Sequence, residues 1–274
     1  MKLSALFVLL TIFGSYPGPS VEVSSGAAWP QNSTQGSSSS TVTPRQAAEL
    51  RADLLDARKG YLAAAHAYED ILKDDPRNAT LLNKTGVAYQ AMGSSELAER
   101  YYKKSLRVDK NFATALNNLG TLEYSEERFG AAIKYYRKAL EHQSDRATVY
   151  SNLGYAYAAS HQYPKALDAF SKALAIDPDF YSHHGGAGPL IEQRTAADPG
   201  MLFYLLAKSY AKIGDVDHTI QYLKLARDDG YKNFAAAVKD ADFAPVIENP
   251  QVREALQLPP RPPAGGAAGA KTPS

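Results

Sequence analysis

No cysteine occurs among the 274 residues. Disulfides, zinc–thiolate sites, thiol nucleophiles and lipidated cysteines are therefore excluded, while the compartment stays open, because an oxidising space tolerates proteins without disulfides. Neither sign of charge is in excess. With 30 Lys and Arg against 29 Asp and Glu the formal charge is +1, so no field of the whole molecule draws it to nucleic acid or anionic membrane, and only a local patch remains open. A Gly-rich phosphate loop of the Walker or dinucleotide type is missing, and so is a Gly-x-Ser-x-Gly elbow. Gly185-Gly186-Ala187-Gly188 lacks the strand and helix that would give it such a meaning. Carboxylate pairs such as Glu126-Glu127 and Asp228-Asp229 read as helix ends and turns rather than as acid–base machinery. His183 and His184 have Asp179 nearby but no third histidine, and His66, His142, His161 and His218 are scattered. No cofactor, no metal and no intrinsic catalysis are expected.

Long apolar runs are scarce as well. The one at the start, Leu3 to Phe13 after the charged Lys2, is shorter than the roughly 20 residues a spanning helix needs. It fits the charged start and apolar core of a secretory signal peptide, with small residues at Gly18-Pro19-Ser20 and Ser25-Gly26-Ala27 as cleavage positions. Residues 1–20 are read as a signal peptide or anchor and the protein as exported to the periplasm, envelope or medium, the alternative being cytoplasmic. Residues 21–44 are a flexible Ser/Thr/Gly/Pro linker, in which Asn32-Ser33-Thr34 is a glycosylation acceptor only by its letters.

What the chain does contain is periodicity. Gly86, Gly120 and Gly154 stand 34 positions apart; Ala98, Ala132 and Ala166 keep the same step, as do Tyr102, Tyr136 and Phe170. A fixed period of two small residues and an aromatic marks a stacked repeat. Apolar residues at three-to-four spacing make each unit a pair of helices. Small side chains let two antiparallel helices approach to about 8–10 Å, and the aromatics fill the space beside the crossing, each contributing about 2–3 kcal/mol when buried. Pro44 suits the first turn of the first helix, Gly60 breaks the run that follows, and Asp74-Asp75-Pro76 ends it.

These residues resemble the tetratricopeptide repeat, a 34-residue helix–turn–helix unit with Leu-Gly at positions 7 and 8, Tyr at 11, Ala at 20, an aromatic at 24, Ala at 27 and Pro at 32. The unit beginning at Ala113 has Leu116, Leu119-Gly120, Ala132, Tyr136 and Ala139; the one beginning at Ala147 has Tyr150, Leu153-Gly154, Tyr157, Ala166, Phe170, Ala173 and Pro178; the one beginning at Ala79 has Leu82, Gly86, Tyr89, Ala98 and Tyr102. The first, from Arg45, is thinner, with Arg51-Ala52 in place of Leu-Gly. Glu123 stands at position 11, with Tyr124 one place later. The resemblance implies an all-α, right-handed solenoid of antiparallel helix pairs with a C-terminal helical cap and disordered termini. Repeats 1–4 occupy 45–180, an insertion 181–199, with Pro189 to Thr195 extended, a degenerate fifth repeat 200–233, where Asp215 caps the second helix, a cap 234–258 and a tail 259–274.

The family's first helices line a concave groove, with positions 5, 9 and 12 pointing inward. By resemblance the candidate partner-binding residues are Asn83, Val87 and Gln90, then Asn117, Thr121 and Tyr124, then Ser151, Tyr155 and Ala158. The set is polar, partly aromatic and uncharged, and suits an extended peptide. Of the pattern by which some members hold a C-terminal carboxylate, Asn118 and Asn152 match only the last element. A non-catalytic scaffold for a protein or peptide partner is expected, monomeric or weakly self-associating, with no nucleic acid and with membrane contact only through an uncleaved N-terminal segment. A self-assembling envelope subunit, or an accessory subunit of an enzyme on another chain, are the alternatives.

Overall fold

The structure is a computed structural model and describes residues 42–142, 146–183 and 198–259. The signal-peptide reading and, but for residues 42–44 and 259, the linker and tail readings fall outside these residues, as do His184 and the extended segment expected from Pro189 to Thr195. Among the described residues the chain is helical throughout. Four pairs follow in order: α1 (Pro44–Ala57) with α2 (Tyr61–Asp74), α3 (Ala79–Ala91) with α4 (Ser95–Val108), α5 (Ala113–Ser125) with α6 (Phe129–His142), and α7 (Ala147–Ala159) with α8 (Tyr163–Ile176). A short α9 (Phe180–His183) precedes a fifth pair, α10 (Pro199–Lys212) and α11 (Val216–Asp228). Each pair packs on itself, and each second helix packs on the first helix of the next pair, so that the chain is an α-solenoid.

The helix starts have local causes. Thr43 and Gln46 form a reciprocal capping box ahead of Pro44, and Asn78, Asp198 and Asp215 each accept a hydrogen bond from the backbone N–H three residues on. The turns inside the pairs share one device. Two residues past each first helix the backbone turns left-handed, at Lys59, Gly93, Glu127, His161 and Gly214. The next N–H then closes onto the carbonyl five residues back, as from Ser94 to Tyr89 at 2.9 Å and from Gln162 to Tyr157 at 2.8 Å. In the first pair Lys59 takes this conformation. Gly60, the residue expected to break the run, stands between the two helices with an ordinary φ of −80° and is the N-cap of α2.

The repeated small residues meet the repeated aromatics directly. A Cβ on Gly86 would lie 2.6 Å from the Tyr102 ring, one on Gly120 2.5 Å from Tyr136, and one on Gly154 2.4 Å from Phe170. The glycine is needed because a ring, more than a helix backbone, occupies the space. All three rings and Ala98, Ala132 and Ala166 are fully buried. In the fifth pair Ala207 and Leu223 replace glycine and ring, and both are fully buried too. The out-of-pattern Glu123 is buried and paired across the turn with the Arg128 Nε at 2.5 Å.

Beyond α11 two 3₁₀ turns, Phe234–Lys239 and Ala241–Phe243, and α12 (Pro250–Ala255) cover the last pair. Tyr204 of α10 stacks on Tyr231 with centroids 4.1 Å apart, and Lys208 pairs with Asp240 at 2.6 Å. This closes the apolar side that a further repeat would otherwise cover.

Glu127 is exposed, left-handed at φ 59°, and places a negative charge at a helix C-terminus. Strain of about 1–2 kcal/mol exceeds the roughly 0.5–1 kcal/mol that glycine's freedom in the unfolded chain costs, a net gain of about 1 kcal/mol once the unfavourable dipole contact is also removed. Glu127→Gly is expected to raise the Tm by about 2–4 °C in a thermal melt followed by circular dichroism.

Candidate functional site

The first helices α1, α3, α5 and α7 carry the positions that the resemblance assigns to a concave face, and their side chains form three zones. The first was not singled out by sequence. Position 5, 9 and 12 of the opening repeat are Glu49, Asp53 and Asp56, three carboxylates on one face of α1. Lys84 of α3 reaches into them, its Nζ 2.9 Å from Glu49 Oε1 and 2.9 Å from both oxygens of Asp53. Tyr68 donates its phenolic hydrogen to Asp53 at 2.7 Å. Partial burial works against both charges, yet the hydrogen bonds outweigh it, holding Asp53 below and Lys84 above their ordinary pKa values. Asp56 goes the other way: burial and then the Asp53 charge raise its carboxyl. Its Oδ1 is buried without a hydrogen-bond partner.

The middle zone holds six of the residues the groove reading selects. Val87 is the most open, 37% exposed. The others are tied to the frame. Asn83 is buried, and its Oδ1 accepts from Asn118 Nδ2 at 3.0 Å; Asn117 Oδ1 accepts from Asn152 Nδ2 at 3.0 Å one repeat later. Position 6 of each repeat thus fastens to position 5 of the one before, which gives Asn118 and Asn152 a stacking role. Gln90 Oε1 accepts from the Tyr102 hydroxyl at 2.6 Å, and Thr121 Oγ1 from the Tyr136 hydroxyl at 3.3 Å. Gln90 and Thr121 therefore hold the rings that cover Gly86 and Gly120. Tyr124 is buried, its ring 5.3 Å from Phe129.

The third zone is closed. Ser151, Tyr155 and Ala158 are each at most 2% exposed. Tyr181 of α9, wholly buried, lies edge-on to Phe170 and to Tyr210 of α10, while Tyr155 lies edge-on to Phe170 from the other side. The hydroxyls of Tyr181 and Ser151 are both buried there. Among the described residues no three His, Asp or Glu side chains converge where a metal ion would sit.

Two stretches of the chain, residues 50–107 and 111–179, each match a sequence model described as the tetratricopeptide repeat. The chain is a tetratricopeptide-repeat protein. No curated protein sequence matches it. Among solved structures it is similar to PilF of Pseudomonas aeruginosa, with TM-score 0.51 and 21% identity over 78% of this chain and 87% of that one. It is also similar to PilW, described as a widely conserved type IV pilus biogenesis factor, with TM-score 0.50 and 19% identity over 77% and 90% of the two chains. A MamA structure follows at TM-score 0.47 and 25% identity, over 65% and 93%. The likenesses to PilF and PilW bear on the fold alone.

The two aspartates of the first zone are expected to respond oppositely to substitution. A raised folded-state pKa means that the stability tied to Asp56 is present below the ordinary carboxylate value of about 3.9 and is lost as pH rises through the raised value. For Asp53, with a lowered value, the contribution is present above about 3.9 and lost as pH falls through the lowered one. Thermal melts should show Asp56→Asn raising the Tm at pH 7 and leaving it unchanged at pH 3, and Asp53→Asn lowering it at pH 7.

Proposed function

We propose that this protein is a non-catalytic scaffold that holds an extended segment of a partner protein along the concave face of repeats 1 to 3, from Glu49, Asp53 and Asp56 at one end to Thr121 at the other. The observation that carries the reading is the gradient along that face. Three carboxylates answered by a single lysine leave the first zone with a net negative charge. The second is neutral, amide-rich and centred on the exposed Val87. Such a face favours a segment with a basic residue over Asp56 and a polar or small apolar stretch over Val87. Because Ser151, Tyr155 and Ala158 are buried, the bound segment ends before repeat 4.

Export of the protein is part of the proposal, and it rests on the charged and apolar opening Met1 to Phe13. The scaffold is then a monomer or a weakly associating unit that meets its partner in the envelope.

A photoreactive benzoylphenylalanine in place of Val87 should form one discrete adduct with a partner in intact cells, and Asp56→Arg in the same chain should reduce that adduct severalfold while the helical circular dichroism stays unchanged. An adduct insensitive to Asp56→Arg would place the partner elsewhere.

A further inference from the structure

The second helices present their own pattern on the opposite, outer face. Positions 22, 25 and 26 are all cationic in two successive repeats: Arg100, Lys103 and Lys104 on α4, then Lys134, Arg137 and Lys138 on α6. The same positions in repeat 1 are His66, Glu69 and Asp70, so the pattern is confined to the centre of the array. Lys104 is half-buried and the other five side chains are exposed. Lys103 pairs with Glu99 at 2.5 Å, whereas the other five make no ion pair among the described residues. Tyr101 and Leu106 of α4 and Tyr135 of α6 pack against the same buried cluster. Spacings of three and four place each trio on one side of its helix.

Beside this lattice, between α2 and α4, lies a cleft of about 450 Å³. Its floor is apolar, made by Leu72, Leu82, Val108 and the ring of Tyr101, and Lys104 and Arg107 stand at its rim. The Lys104 ammonium sits 4.5 Å from the Tyr101 ring centre. One carboxylate, Glu69, faces the cleft, but it accepts hydrogen bonds from the Tyr89 and Tyr101 hydroxyls at 2.7 and 2.8 Å and so is turned toward the protein. The register-equivalent cleft between α6 and α8 is lined by Arg137, Lys165 and Lys172 but also by two carboxylates, Glu141 and Asp168.

We infer that the outer face of repeats 2 and 3 is a second docking surface, for an acidic segment of a partner protein that carries one large apolar side chain. The apolar side chain fills the α2–α4 cleft, and flanking carboxylates lie on Arg107, Lys104 and Arg100 and continue to Lys134 and Lys138. An apolar anchor in a pocket ringed by charge is the arrangement that concentrates binding energy, and complementary charge speeds the encounter. The face is separate from the concave one, so the chain would join two partners. Nucleic acid fits less well, because both tyrosines beside the cations are half-buried and offer no open ring for a base.

The test uses the full chain and a fluorescein-labelled dodecapeptide of Glu and Asp with one central Trp, followed by fluorescence anisotropy at low salt. Binding is expected to weaken at least about tenfold for Lys104→Glu/Lys138→Glu and equally for Arg100→Glu/Lys134→Glu, both with unchanged helical circular dichroism. Replacing the peptide's Trp by Gly should also weaken it about tenfold, and Val87→Glu on the concave face should leave it alone. The inference is overturned if both charge-reversed proteins bind as the parent does, or if the peptide without Trp binds equally well. It is also overturned if phosphatidylglycerol vesicles or single-stranded DNA displace the peptide at lower concentration than its unlabelled copy.

Discussion

Everything in this array depends on an aromatic ring lying where a β-carbon would be. In repeats 2, 3 and 4 the side chain at position 24 occupies the space above the glycine at position 8, at 2.4–2.6 Å from where a Cβ would stand, and so fixes how closely two helices of a pair approach. The contact reaches further than packing. Seated over the glycine, the Tyr102 and Tyr136 rings carry their hydroxyls through to the concave side, where Gln90 and Thr121 accept them. Tyr68 does the same to Asp53 in repeat 1. Frame and working face are therefore joined by single hydrogen bonds. A residue such as Gln90 both limits what a ligand meets and holds the ring that shapes the pair.

This coupling explains which parts of the molecule were legible in the sequence. The period, the helix pairs and the buried alanines and rings follow from spacing alone, because identical residues recur in identical surroundings. The acidic zone escaped notice because repeat 1 carries Arg51-Ala52 where the others have a glycine pair partner, so its register, and with it Glu49, Asp53 and Asp56, had little to stand on. The closure of repeat 4 was hidden for a different reason. Tyr181, edge-on to Phe170, follows the last residue of the unit and falls outside the period, so nothing in the repeat announces that Ser151, Tyr155 and Ala158 are buried. Asn118 and Asn152 match only the last element of a carboxylate grip, and their amides serve the neighbouring repeat. The pairing of Glu123 with Arg128 spans a left-handed turn that helical spacing does not anticipate.

A near-zero net charge proves a poor guide to such a molecule. The formal +1 is an average over a concave end rich in carboxylates and an outer face rich in Lys and Arg, which are separated by the thickness of a helix pair. In a solenoid each helix has one side committed to its neighbours and the other free, so charges sort by face, and opposite faces acquire opposite preferences. The three zones of the concave face and the cationic centre of the outer face are different expressions of one packing scheme, in which positions 8, 20 and 24 are fixed and the remainder carry specificity.

The central claim is that ring and glycine form one unit, and a double-mutant cycle on Gly120 and Tyr136 tests it most directly. The fifth pair shows that Ala207 opposite Leu223 packs without exposure. Gly120→Ala and Tyr136→Leu, made singly and together, should be compared by urea unfolding. If the lock is real, the double variant is more stable than the sum of the single effects allows, with a coupling of at least about 1 kcal/mol. Additive losses, with no coupling, would show that the ring and the glycine act independently and that the account is wrong.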